Sequence, residues 1–321
     1  MMKNLMKFPA YLFLALLSLA VISCDDDDDA GDLGLTSSAY DLTRNNPNFS
    51  SLAAAIERAD LVSVLDAPGA FTVFAPTNTA FSEFLTDNNF ASLDAVPVDV
   101  LRATLLYHVL GSEVRSSGLA DGYVKTASAN ADGDAYDAYI DVDTEVFIND
   151  AKIDLTMVDI EVDNGVVHVI DEVLTLPSVA DLAIYNPIFS NLVTAVVQEN
   201  LAETLSDPTA TYTVFAPTND AFQALVDADP NDGIDSIGDI LALSNLSDIL
   251  LYHVVNGAAV RAEDIMNGQI VDPITMGTFT IDTTNGVVIT DGSGTEINVI
   301  VTNVTAANGV VHAIDFVLRP A

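Results

Sequence analysis

Few side chains in this 321-residue sequence could do chemistry: one cysteine, Cys24, and four histidines, His108, His168, His253 and His312. A histidine can act as general base, metal ligand or pH switch, and a thiolate as nucleophile or ligand. Spacing speaks against each use. No two histidines lie three or four residues apart on one helix face, and no second cysteine exists to complete a zinc set. The chain has no Gly-x-Ser-x-Gly elbow; "GSG" at Gly292–Gly294 reads as a turn. Phosphate loops and dinucleotide fingerprints are absent as well. The acidic stretch "DADPNDGID", Asp227–Asp235, has acids at alternate positions and a glycine, as a calcium loop does. Its glycine falls one place late and no Glu stands at the twelfth position, so it reads as a solvated loop between helices, with calcium binding as the alternative. These residues predict no catalytic set, no metal centre and no cofactor, hence a protein that is not an enzyme.

Cys24 finds its use in its context. Lys3 and Lys7 precede an apolar run from Phe8 to Ile22, which ends in Val21-Ile22-Ser23-Cys24. That is the layout of a secretory signal, too short for a confident membrane span. "VISC" resembles a bacterial lipobox, in which cleavage before the cysteine leaves its sulfur to carry a lipid. Residues 1–23 are read as signal peptide, Cys24 as lipid anchor, and residues 24–35, with Asp25–Asp29, as an acidic solvated tether. The aspartate run resembles an export tag of surface lipoproteins, which predicts an outer-membrane protein facing the medium; a spacer on a periplasmic lipoprotein is the alternative. The whole chain carries 47 acidic and 10 basic residues, a formal charge of −37. Such a surface excludes nucleic acid and anionic lipid as partners of its own field, leaving membrane attachment to the N-terminal lipid.

The rest of the chain is written twice. "NPNFSSL" from Asn46 returns as "NPIFSNL" from Asn186, and "TVFAPTN" from Thr72 returns from Thr213. "LLYHV" recurs from Leu105 and Leu250, and "NGVVH" from Asn164 and Asn308. Offsets of 140–145 residues fit a duplicated domain, not a solenoid. The boundaries are read as 36–176 and 177–321. In each copy a helix carries Phe49, Leu52 and Ile56, or Phe189, Leu192 and Val196. A strand T-V-F-A follows, stopped by Pro76 or Pro217. Thr77 or Thr218 then caps a helix with Phe81, Phe84 and Leu85, or Phe222, Leu225 and Val226, inward. A further helix ends in the Tyr-His pair, and the last half of each copy alternates β-branched residues between Asn-Gly and Asp-Gly turns. The fold class is α+β, and the heptapeptide reads as scaffold. His108 follows Leu101 and Leu105 on the apolar stripe, as His253 follows Leu246 and Leu250, so both are expected half-buried. Tyr107 and Tyr252, about 100° round the helix, are expected at the rim with their hydroxyls in water.

"TVFAPTN-x-AF", a mid-domain "YH" and "NGVVH-x-ID-x-VL", in that order and twice, resemble the fasciclin domain family. The resemblance implies two tandem domains, each a wedge-shaped β-sandwich flanked by helices. It implies adhesion to a cell-surface or extracellular matrix component, protein or polysaccharide. It also implies where adhesion would sit: Tyr107-His108 and Tyr252-His253, with Asp159-Ile160 as a second element whose match in the other copy is Asn303-Val304. An accessory lipoprotein that captures glycan or a small molecule for an uptake system is the alternative function. The absence of tryptophan and an aromatic content of 7% weigh against the aromatic-lined cleft it would need.

Overall fold

A computed structural model describes residues 37–229 and 233–321. The signal, Cys24 and the acidic tether lie outside the described residues, as do Pro230, Asn231 and Asp232 of the calcium-loop candidate. Each copy opens on two helices where the sequence reading had one. Ala39–Asn45 and Ser50–Arg58 are separated by a 3₁₀ turn, Pro47–Phe49. Pro47 forces the break. Asn46 before it is extended, with φ −106° and ψ 117°, and its side chain accepts from the Asn48 amide. Val179–Tyr185, Pro187–Phe189 and Ser190–Gln198 repeat the arrangement.

At the centre of each copy two strands far apart in sequence run parallel. Phe71–Pro76 pairs with Gly165–Ile170, and Tyr212–Pro217 with Gly309–Ile314. In the first copy the order Val109–Leu110, Phe71–Pro76, Gly165–Ile170, Ile160–Val162 makes one four-stranded sheet. Gly122–Ala129, Ala135–Asp141, Phe147–Ile148 and Ala151–Lys152 make another. In the second copy the corresponding strands join into one seven-stranded sheet, because Glu296–Ala306 runs through both halves with two register shifts. The difference is local chemistry. "NVIVTNVT" is rich in β-branched residues and carries the strand through, the left-handed Asn303 being absorbed at a register shift. At the matching place in the first copy, Asp154 accepts from the Thr156 amide (2.9 Å) and hydroxyl (2.7 Å), and the strand turns away.

Strand alternation serves two cores per copy. Val73 and Ala75 face the helices, with Phe49, Leu52, Ile56, Phe81 and Leu105. Phe74 faces the other way, into a second core with Tyr107, Ile148, Ile153 and Ile170 among its buried neighbours. Phe215 does the same beside Tyr252, Phe279 and Ile297. The copies also lock to each other. The Lys125 ammonium donates to the buried carboxylate of Asp137 (2.6 Å) and to the Asn303 carbonyl (3.1 Å), and the Thr305 amide donates to the same carboxylate (2.6 Å). Tyr123 adds a bond from its hydroxyl to the Leu182 carbonyl at 2.7 Å.

Candidate functional site

Each letter of the heptapeptide has a structural partner. The Thr72 hydroxyl donates to the Ser112 carbonyl and accepts from the Val114 amide; Thr213 does the same with Ala258 and Val260. Thr77 and Thr218 accept from the Ala80 and Ala221 amides as helix N-caps. Asn78 accepts from Ser51 and donates to the Pro47 carbonyl, tying the capped helix to the Pro47 turn, as Asn219 ties to Asn191 and Pro187.

The Tyr-His pairs sit where each helix, Val98–Tyr107 or Leu246–Tyr252, runs out above the second core. His108 is fully buried: its Nδ1 donates to the Thr104 carbonyl at 2.7 Å and its Nε2 accepts from the Leu174 amide at 2.9 Å. His253 repeats this with Ile249 (2.7 Å) and Leu318 (2.8 Å). A carbonyl on one nitrogen and an amide on the other fix a neutral ring in one tautomer. Burial pushes both imidazoles down to about 4. His168 and His312 are held likewise, each Nε2 donating to Val114 or Val260 and each Nδ1 accepting from Asp159 or Asn303.

The tyrosines correct the sequence reading. Tyr107 and Tyr252 are both wholly buried, not at the rim. The Tyr107 hydroxyl donates to the Asp137 carbonyl (2.7 Å) and accepts from the Asn149 side chain (2.9 Å), and burial pushes its phenol far up. The Tyr252 hydroxyl donates to the Thr278 carbonyl (2.6 Å) and accepts from the Gly292 amide (3.1 Å), its ring edge-on to Phe279. The helix stripe points the histidine at one core. A second core lies beyond the helix end, and the tyrosine enters it.

Asp159 is a backbone device. It adopts φ +53°, a left-handed conformation that Asp and Asn tolerate. Its carboxylate accepts from the Ser116 amide (2.7 Å) and hydroxyl, bonds that hold it below the usual carboxylate range. Asn303, at φ +61°, accepts from the Ala262 amide at 2.8 Å. Either residue meets both demands, which explains why the acid is not kept. Ile160 is half-buried against the helix-side core. The structure thus brings together, in each copy, the Tyr-His pair, the last strand and the left-handed residue, all as internal braces. Among the described residues no group of three or more His, Cys, Asp or Glu could hold a metal ion.

Sequence reasoning also missed the asparagine of "NGVVH". Asn164 accepts from the Ala39 amide (2.9 Å) and donates to the Leu65 and Ala67 carbonyls (2.7 and 3.0 Å), and Asn308 makes the same three bonds to Val179, Leu205 and Asp207. Its recurrence before glycine suggested a turn. The turn is there, but the side chain is a buried three-way clamp.

The buried histidines make an expectation for pH. Their folded values lie below the ordinary 6.5, so the stability they allow is complete above pH 6.5 and is lost as pH falls towards 4. Each should cost its copy about 2 kcal/mol at pH 5 relative to pH 7.5. Urea melts in ~0.5 M salt, which screens the acidic self-repulsion, should show stability falling across this window. A rise on acidification would contradict the tautomers assigned here.

Two tandem α+β domains, each built on a central parallel strand pair with a helix-side core and a second core behind it, define the class. Residues 47–177 and 187–320 each match the Fasciclin domain, and the chain belongs to that family. Protein sll1483 of Synechocystis sp. is 36% identical over 137 residues, covering 43% of this chain and 72% of that protein. Transforming growth factor-beta-induced protein ig-h3 of Sus scrofa is 29% identical over 262 residues, and human periostin 28% over 251. Those matches cover 80% and 74% of this chain but only 35% and 26% of the relatives, which are much longer proteins. A solved FAS1 domain pair from the insect cell adhesion molecule fasciclin I matches with a TM-score of 0.55 at 19% identity, over 86% of this chain and 98% of that one. At that identity the likeness is one of fold.

Proposed function

We propose that this chain is a lipid-anchored adhesion protein of the bacterial cell surface, binding a protein or polysaccharide of another surface or matrix without catalysing a reaction. The pair of fasciclin domains is the observation that carries the reading, supported by the solved domain pair from a cell adhesion molecule. The internal duties of all four histidines support it further, since both ring nitrogens of each are committed to hydrogen bonds within the fold. Cys24 anchors the chain by its lipid, and the charged run Asp25–Asp29 serves as the solvated tether between anchor and domains. Adhesion then falls to the exposed surface around the Tyr-His braces and not to the braced side chains themselves.

A palmitate analogue fed to growing cells should label the wild type and not Cys24→Ala. Adhesion of whole cells to a matrix-coated surface should fall to the background of cells lacking the protein. Unlabelled Cys24→Ala cells that adhere as well as wild type would overturn the anchor. Alanine at Asp25–Asp29 should keep the label but reduce protease access on whole cells; full access would reduce the run to a spacer.

A further inference from the structure

The two copies differ in one place that the duplication makes easy to read. In the first copy Tyr40 is buried between the opening helices, its hydroxyl donating to the Glu57 carboxylate at 2.8 Å, with Thr43 and Arg44 alongside. At the offset of 140 the same positions in the second copy are Ala180, Val197, Ala183 and Ile184. The plug is gone and its polar partners have become aliphatic. A slot opens there, walled by Ala180, Leu192, Val196, Leu201 and Leu250, with Ile184 and Val197 at its mouth, 53% and 58% exposed. The slot is narrow, with a cavity volume of about 40 Å³, and it is open at the mouth. The one polar side chain in its lining, His253, has both ring nitrogens committed to Ile249 and Leu318.

We propose that this slot binds an uncharged aliphatic chain, a ligand function separate from adhesion. Three observations choose the occupant. The walls offer no free donor or acceptor, so affinity must come from apolar burial, at about 25 cal/mol per Å². The slot is narrow, which suits a slender chain better than a fused ring system. Finally, residues 179–205 contain Asp181, Glu199 and Glu203 and no lysine or arginine, so an anionic head group at the mouth is repelled and a neutral one is not. Retaining such space in place of a side chain costs stability, and the first copy shows that the fold accepts the side chain.

The test uses the full chain with Cys24→Ala, which leaves no covalent lipid to compete, and the neutral dye N-phenyl-1-naphthylamine, read against a protein without tryptophan. One saturable site per chain is expected, displaced by 1-dodecanol and at least about tenfold less well by laurate, a difference of 1.4 kcal/mol. Ala180→Tyr, which installs the first copy's plug, should abolish dye binding with the melting temperature kept or raised. Val197→Glu places a charge at the exposed mouth, where it cannot disrupt the core, and should weaken dye binding about tenfold. Should Ala180→Tyr fail to fold, Val197→Glu decides the matter alone. Unchanged dye binding in the folded variants would overturn the proposal. So would a variant that loses dimerisation or adsorption to neutral vesicles and retains the dye site, since the face would then be a docking surface.

Discussion

Gly165→Ala is expected to leave the first copy without a cooperative melt, and Gly309→Ala to do the same to the second. Gly165 has φ +143°, a conformation open essentially to glycine alone. An added Cβ would lie 1.9 Å from the Phe71 carbonyl oxygen and 2.6 Å from its amide nitrogen. Gly309, at φ +155°, would meet the Tyr212 carbonyl oxygen at 2.1 Å. Both obstacles are backbone and cannot rotate aside. Phe71 and Gly165 open the six-residue parallel ladder at the centre of the copy, so relief means unzipping it from one end. Strain and clash together should exceed about 4 kcal/mol, a large part of a domain's 5–15 kcal/mol. Circular dichroism melts of the full chain would show it as one lost transition of two. Alanine tolerated within about 1 kcal/mol at Gly165 would contradict the close approach.

The glycine shows which parts of this fold a sequence discloses. The duplication, the strand stopped by proline, the threonine cap and the inward faces of the helices all follow from local rules, since each involves residues a few places apart. Asn164 and Gly165 read only as a turn, because their partners, Ala39, Leu65 and Phe71, lie about a hundred residues away. Tyr107 was misplaced for a related reason. One helix's periodicity describes one apolar face, and nothing in it reveals a second core past the helix end. Asp159 matched a short adhesion peptide by letter, whereas its left-handed backbone and its bonds to Ser116 depend on geometry. The slot in the second copy was legible in principle: aligning "AYDLTRN" with "VADLAIY" sets Tyr40 against Ala180 and Arg44 against Ile184.

Tyr107→Ala should destabilise the first copy by about 3–5 kcal/mol, and Tyr252→Ala the second by as much, the range for large buried aromatics. Each ring is wholly buried, and its removal also strands polar partners: the Asp137 carbonyl and Asn149 amide in one case, the Thr278 carbonyl and Gly292 amide in the other. Phenylalanine keeps the packing and loses only the hydroxyl, so Tyr107→Phe should cost about 1–3 kcal/mol. The rings share no contact, and the two costs should add within about 0.5 kcal/mol. A double alanine variant as stable as wild type would return the tyrosines to the surface.

The central claim is that the Tyr-His pairs brace the domains and do not themselves touch a partner. The most direct measurement is adhesion per folded molecule for the double variant Tyr107→Phe, Tyr252→Phe, displayed on cells and assayed well below its melting temperature. The account predicts a lower melting temperature with adhesion unchanged from wild type. Wild-type stability with adhesion abolished would contradict it.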